Sequence, residues 1–318
     1  MASNKDSKFR DFAVELPNGM KITGIHYDPP KAIMSTPYKP LVIAIHGGTC
    51  TAHNFDVSPA NTASLEADNL STPVVSINRP SCLDSSPMPA SPESSTYQQE
   101  LGKTVYHEQL FPLLWEQFGK PAHCTSMVLL GHSMACMGIV IAAGVHADDS
   151  SPKYPLSGII LSGWGSRLSD FRVPIPEERE AKLKWKQYIM LTHPDKPGIA
   201  DDAVLADIPI QDHPLDPEEG KEVFNGTFFG YWRKYSDRVK VPIMYGIGEH
   251  DALWQGTLEH VKEYETMFPN AERFDGSVVL GAPHAIEWSL FASGWYARCF
   301  GFASEVATLH GIRAKSTA

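Results

Sequence analysis

The sequence predicts an α/β protein, with a mostly parallel sheet, helices on both faces and one helical insertion. Three observations predict it. Short apolar runs at residues 41–45, 74–77, 127–130 and 158–161 have the length and composition of strands buried on both faces, and helical or loop-like stretches separate them. Two of these runs end abruptly in small polar loops, His46-Gly47-Gly48-Thr49 and Gly131-His132-Ser133. Finally, the strand–helix rhythm breaks between Gly163 and about Lys240 and then resumes, as expected of an excursion from one strand end.

Residues 12–16 and 20–27 alternate around Asn18-Gly19 and predict a hairpin with a tight turn. Prolines between 29 and 40 make a connection to strand 41–45. A helix is expected near 59–69, then strand 74–77, then a Ser/Pro-rich surface loop at 79–95. Residues 97–118 read as helix, which Pro112 should kink or restart. Strand 127–130 leads through Ser133 into a helix of small residues from Ala135 to Ala143, and strand 158–161 follows.

Beyond it, a charged helical piece at 177–190 alternates with proline-broken segments carrying Trp185, Phe224, Phe228, Phe229, Tyr231 and Trp232. Strand 242–245, helix 258–267, strand 277–280 and helix 285–300 complete the chain. The expected division is therefore 1–163 and 241–318 for the two parts of the core, with 164–240 as a cap.

Composition narrows the partners. The 318 residues are 42% hydrophobic with a net charge of -10, a pI near 5.7 and a mean hydropathy of -0.21. Acidic balance disfavours nucleic acid and anionic membrane surfaces. No run approaches the ~18 apolar residues of a membrane span, and the first ten residues carry no secretory pattern. Five scattered cysteines form no Cys-X-X-Cys pair, and the last residues do not match a Ser-Lys-Leu ending, so reduced thiols and an intracellular, cytoplasmic setting are expected. The motifs Gly-X-Gly-X-X-Gly, Gly-X-X-X-X-Gly-Lys-Ser/Thr and His-Glu-X-X-His are all absent, so neither a cofactor nor a metal is expected.

Ser133 lies between an apolar strand and a small-residue helix, where a sharp turn lifts its hydroxyl out of the fold. Acyl transfer through serine further needs a base, a carboxylate to orient the base, and donors for the developing oxyanion. His284 follows the last strand and Asp251 the one before it. Glu249 shares the Asp251 loop and is the weaker candidate for the acid. The interval from Ser133 to Asp251 has room for a cap, and that from Asp251 to His284 for one helix and one strand. The oxyanion donors are expected to be the N–H of Met134 with that of Gly48 or Thr49. Histidines placed like His46 and His132 more often brace a loop than move protons.

Together, His46-Gly47-Gly48, Arg79, Gly131-His-Ser133-Met-Ala135, Gly248-Glu-His-Asp251 and His284 resemble the α/β-hydrolase superfamily. The order Ser133, Asp251, His284 is the one expected of that fold. More narrowly, His46-Gly-Gly-Thr49 followed by Phe55-Asp56-Val57 is similar to fungal hydrolases of toxin and polyketide biosynthesis. The sequence departs from the superfamily pattern at Ala135, where Gly is usual, and at Arg79-Pro-Ser-Cys-Leu-Asp84. The resemblance implies a cofactor-free serine mechanism and a variable cap, and leaves the substrate open.

Three readings stand. One is a serine hydrolase or acyl transferase (an esterase, thioesterase or lactone-forming cyclase) acting on a small-molecule or carrier-bound acyl substrate. The others are a lyase using the same triad and a non-catalytic ligand receptor. The aromatic-rich cap favours an apolar, polyketide-like or fatty acyl group, with substrate contacts expected from Cys50, His132, Trp164, Tyr231, Trp232 and Trp254.

Overall fold

The computed structural model describes residues 6–30, 37–170, 177–191, 199–202, 204–206 and 212–316. Parts of the expected proline connection (31–36) and of the expected cap (171–176, 192–198, 203 and 207–211) lie outside the described residues, as does the side chain of Phe224.

Eight strands form one sheet in the order β1-β2-β4-β3-β5-β6-β7-β8. They are β1 (Arg10–Glu15), β2 (Lys21–Tyr27), β3 (Pro40–Ile45), β4 (Val74–Ile77), β5 (Ser126–His132), β6 (Leu156–Ser162), β7 (Ile243–His250) and β8 (Phe274–Pro283). Pairing is antiparallel from β1 to β2 and from β2 to β4, and parallel elsewhere. The first hairpin forms as expected, but its turn is built differently. The Gly19 N–H donates to the Leu16 carbonyl, and only Gly19 takes a positive φ, +83°, so Pro17-Asn18 make the bend and Gly19 restores the register.

Every residue of β3, β5 and β6 is buried, because alternate side chains meet cover on both faces. Leu41, Ile43, Ile45, Leu129 and Leu161 point to one core, shared with Leu101, Tyr106, Phe111, Ile139 and Ile141. Val42, Ala44, Val128, Leu130 and Ile160 point to the other, shared with Ala63, Ala67, Trp295, Phe300 and Val306. These second-core partners come from α1 (Ser64–Leu70) with the residue before it and from the last helix (Ala292–Ser316).

Residues 97–119 run as one helical stretch, α2 (Tyr97–Glu100) and α3 (Phe111–Leu114) being joined and followed by π-helical turns. Phe111 N–H donates to the Tyr106 carbonyl five residues back. This wider winding carries the chain past Pro112, which has no N–H to give, without the expected restart.

Two expected helices are displaced. The one near 59–69 begins only at Ser64, because residues 58–61 form a turn in which Asn61 N–H donates to the Ser58 carbonyl. The last helix starts at Ala292 instead of 285 and runs to Ser316, since Ile286–Trp288 form a short 3-10 turn that ends in extended Ser289. Strands β7 and β8 also run several residues beyond their apolar centres.

Between β6 and β7 lie α5 (Arg179–Leu191), α6 (Pro217–Phe224), α7 (Thr227–Tyr231) and the short helix Arg233–Ser236, preceded by α4 (Ala135–Asp148) directly after β5. Among the described residues no helix is long and apolar enough to cross a membrane.

Candidate active site

Sheet register assembles the site. Ile45 pairs with Gly131, so the His46–Thr49 loop leaves β3 beside the end of β5. His132 pairs with Ser162 on the other side. A register shift near the end of β7 sets His250 against Pro283, and the next residue of each chain, Asp251 and His284, leaves the sheet side by side.

Ser133 occupies the turn from β5 to α4 with φ +53°. A left-handed serine costs on the order of 1–3 kcal/mol, and it persists where its surroundings over-determine it. Ser133 N–H donates to the Ser162 carbonyl at 2.7 Å, and its own carbonyl accepts from Cys136 N–H at 2.9 Å. The hydroxyl is thereby aimed at His284, whose Nε2 lies 3.0 Å from Ser133 Oγ. His284 Nδ1 lies 2.8 Å from Asp251 Oδ2. The other oxygen, Asp251 Oδ1, accepts the backbone N–H groups of Leu253 (2.8 Å) and Trp254 (3.0 Å), which lock the carboxylate plane. Ser133, Asp251 and His284 are all buried. Glu249 turns away, and its Oε2 accepts Gly281 N–H at 2.8 Å.

Met134 precedes the first residue of α4, whose free N–H groups carry the positive end of the helix dipole. The neighbouring loop approaches this point closely. A Cβ on Gly47 would stand 2.9 Å from Ser133 Cβ, and one on Gly48 2.4 Å from Met134 Sδ. Gly47 has no room for a side chain against Ser133, and a side chain at Gly48 would have to displace the Met134 thioether. Thr49 completes the loop with φ +58°.

His46 braces this loop. Its Nδ1 pairs with the Gly47 carbonyl at 2.8 Å while Nε2 accepts Arg79 N–H at 3.1 Å. Burial, reinforced by the Arg79 charge, holds its pKa well below the ordinary histidine value, so it stays neutral. His132 is fully buried with its ring centroid 5.0 Å from that of His284, and burial holds its pKa down as well. It is a floor beneath His284.

The remaining expected contacts are dispersed. Trp164 and Trp254 meet edge to face at 4.8 Å, and Phe228 and Phe229 pack on Trp164. Trp232 lies elsewhere, stacked between Phe228 and Tyr264 inside the core. The Tyr231 hydroxyl is tied to Glu222 and Thr96, joining α7 to α6 and α2. Cys50 is buried, with its carbonyl accepting the Cys82 thiol, and burial raises the Cys50 pKa.

Three further groups stand at the site: Arg79 belongs to the pattern read in the sequence, whereas Glu287 and Lys186 have no sequence signal of their own. Glu287 is fully buried, accepts Trp295 Nε1–H at 2.9 Å, and lies 3.3 Å from His132 Nδ1. Its carboxyl pKa is raised by burial. Arg79 forms a buried ion pair with Glu219 of α6, and Gln98 Nε2 donates to the same carboxylate at 2.8 Å. Lys186 of α5, also buried, donates to the Thr49 carbonyl. A metal-binding group of three or more His, Cys, Asp or Glu does not occur among the described residues.

No family model matches the chain, and no curated protein matches it in sequence. Solved structures do match in shape. A Burkholderia cenocepacia protein assigned as an aryl esterase is 13% identical at a TM-score of 0.65, over 94% of this chain and 100% of that one. An N-acyl homoserine lactonase, solved with N-hexanoyl homoserine, is 12% identical at 0.60 over 93% and 98%. An Acinetobacter baumannii protein assigned as a lipase is 12% identical at 0.60 over 95% and 93%. With the sheet order above, these likenesses establish the α/β-hydrolase fold.

Proposed function

We propose that the protein is a serine-dependent acyl hydrolase, acting on an ester, thioester or lactone with an apolar acyl group of polyketide-like or fatty character. The observation that carries this reading is the continuous relay from Ser133 Oγ to His284 Nε2 (3.0 Å) and from His284 Nδ1 to Asp251 Oδ2 (2.8 Å). In this mechanism His284 takes the Ser133 proton as Oγ attacks the acyl carbon. Asp251 holds the imidazole in the required tautomer and stabilises the imidazolium. The N–H groups of Met134 and of Gly48 or Thr49 receive the oxyanion. Collapse of the tetrahedral intermediate breaks the acyl–leaving-group bond, and His284 returns its proton to the leaving group. Water, activated by the same histidine, then releases the acid from the acyl-enzyme.

Residues 164–240 act as the cap in this reading, and the aromatic group of Trp164, Trp254, Phe228 and Phe229 supports an apolar lining. The same burial favours a second outcome at the acyl-enzyme. Where water is thinned out, a hydroxyl on the substrate's own chain gains an effective molarity up to ~10⁵ M or more when well oriented, so lactone formation competes with hydrolysis. The test has two parts. Labelling of Ser133 by a fluorophosphonate, lost in Ser133→Ala, separates an enzyme from a receptor. Hydroxyacyl thioesters of graded length, with cyclic and linear products separated, then decide between transfer and hydrolysis. Linear acid alone at every length removes the cyclase reading, and a preference for acetyl esters removes the apolar pocket.

A further inference from the structure

We propose that Lys186 is a positioning residue that sets the oxyanion loop from the cap side, an inference that rests on the serine acyl-transfer reading. Lys186 is only 4% exposed. A lysine is rarely buried unless its ammonium has fixed partners, and here the main one is a backbone oxygen at the site. Nζ donates to the Thr49 carbonyl, lies 3.4 Å from Asp212 Oδ1, and stands 5.9 Å from the Trp288 ring centroid. The same Thr49 carbonyl also accepts the backbone N–H of His213 at 3.0 Å. Both hydrogen bonds therefore come from the segment between β6 and β7, and both end on one peptide oxygen of the loop facing Ser133.

That oxygen belongs to a strained residue. Thr49 is β-branched and sits at φ +58°, where such a side chain is disfavoured. Freed of its carbonyl partners, Thr49 would relax towards an ordinary φ and rotate the peptide planes on either side, including the one that carries its own N–H group. Leu215, from the same segment, closes over the loop, 3.7 Å from where a Gly48 Cβ would stand. The cap thus holds the donors in place as well as covering the pocket. Its seating on the core through Lys186 is what aims the loop N–H groups at a developing oxyanion.

Because the loop donors matter most where charge develops, losing Lys186 should act on the transition state more than on ground-state binding. The experiment compares wild type, Lys186→Met and Lys186→Arg with p-nitrophenyl octanoate and, separately, the rate of phosphonylation by a fluorophosphonate. Removing one oxyanion donor outright costs roughly 10²–10³ in kcat, so misaiming it in Lys186→Met should lower kcat and the phosphonylation rate by about 30- to 100-fold, with KM within about threefold of wild type. Lys186→Arg, which keeps both charge and donor, should recover at least half of that loss on a logarithmic scale. Lys186→Gln replaces the Met variant if the latter does not fold.

Wild-type kcat in the uncharged variant overturns the proposal. So does a loss that falls on KM alone, or an Arg variant as impaired as the Met variant. If wild type itself is not phosphonylated at Ser133, the serine reading fails and the inference falls with it. Labelling of wild type and Lys186→Met at equal rates removes the inference alone.

Discussion

The carboxyl edge of the sheet and the segment between β6 and β7 reach the same site by different physics. At the sheet edge, side chains are placed by register and apolar packing. Fully buried β5 fixes where Ser133 emerges, the register of β7 with β8 fixes Asp251 and His284, and hydrogen bonds join the three. The intervening segment adds buried charged contacts to the apolar packing of residues such as Phe228, Trp232 and Leu191. Arg79 pairs with Glu219, Glu222 accepts from Thr96 Oγ1 (2.8 Å) and Gln98 N–H (2.9 Å), and Lys186 reaches Thr49. Apolar burial is non-directional and tolerates exchange of similar residues. A buried charge is costly unless each partner is in place. The placement of Ser133, Asp251 and His284 should therefore be insensitive to small changes in the core, whereas the seating of the segment between β6 and β7 also depends on single residues.

The largest expected effects break the relay itself. Ser133→Ala removes the covalent step and should lower kcat by several orders of magnitude, while Asp251→Asn should cost ~10⁴ by presenting the wrong tautomer of His284. Glu249→Gln should stay within a few-fold of wild type, because that carboxylate serves Gly281 N–H. Steady-state kinetics on one ester ranks the three. A Glu249 variant more impaired than the Asp251 variant would reverse the assignment made from the geometry.

Next comes the fastening of the segment between β6 and β7. Removing one partner of a buried ion pair typically costs about 3–5 kcal/mol, because the other charge stays buried and alone. Glu219→Leu or Arg79→Met should therefore lower Tm by several degrees. The double replacement Arg79→Met with Glu219→Leu should be less destabilised than the sum of the single changes, since no orphan charge remains. Strict additivity in thermal unfolding would mean that the pair does not hold the two regions together.

This contrast also explains what could be read before the fold was known. Strands β3, β4, β5 and β6 are continuous apolar runs, so period sufficed for them, and position at strand ends singled out Ser133, Asp251 and His284, which the fold brings within hydrogen-bond distance. The fastenings are different. Arg79 and Glu219 are 140 residues apart and Lys186 and Thr49 are 137, and neither pair leaves a periodic trace. Glu287, three residues after His284, reads as an ordinary surface acid until Trp295 and His132 close over it. Tyr231 and Trp232, expected at the substrate, are instead engaged by Glu222 and Thr96 and by Phe228 and Tyr264, for a similar reason. Composition predicts an aromatic cap without saying which rings form its own interior. The π-helical turns of 97–119 were hidden because a helix can change its winding around a proline while keeping its apolar face.

The smallest effect separates the two regions by pH. His46 and His132 are buried and held well below the ordinary histidine pKa of 6.5, His46 by burial and Arg79, His132 by burial with His284 and His46 beside it. In the window between their folded pKa values and 6.5, the unfolded chain binds more protons than the native one, so stability rises with pH there. It is fully present above 6.5 and is lost on acidification, by about 1.4 kcal/mol per pH unit for each such group. Glu287 works in the opposite sense. Its folded pKa is raised above 4.5, and the stability it contributes when protonated is lost as pH rises through that raised value. Thermal unfolding of Ser133→Ala, which carries no turnover, should show a lower Tm at pH 5.5 than at 7.5, and His132→Met should make the dependence shallower by about one proton. An unchanged slope in that variant would mean that His132 binds its proton equally well in the folded and unfolded chain, against its burial beneath His284.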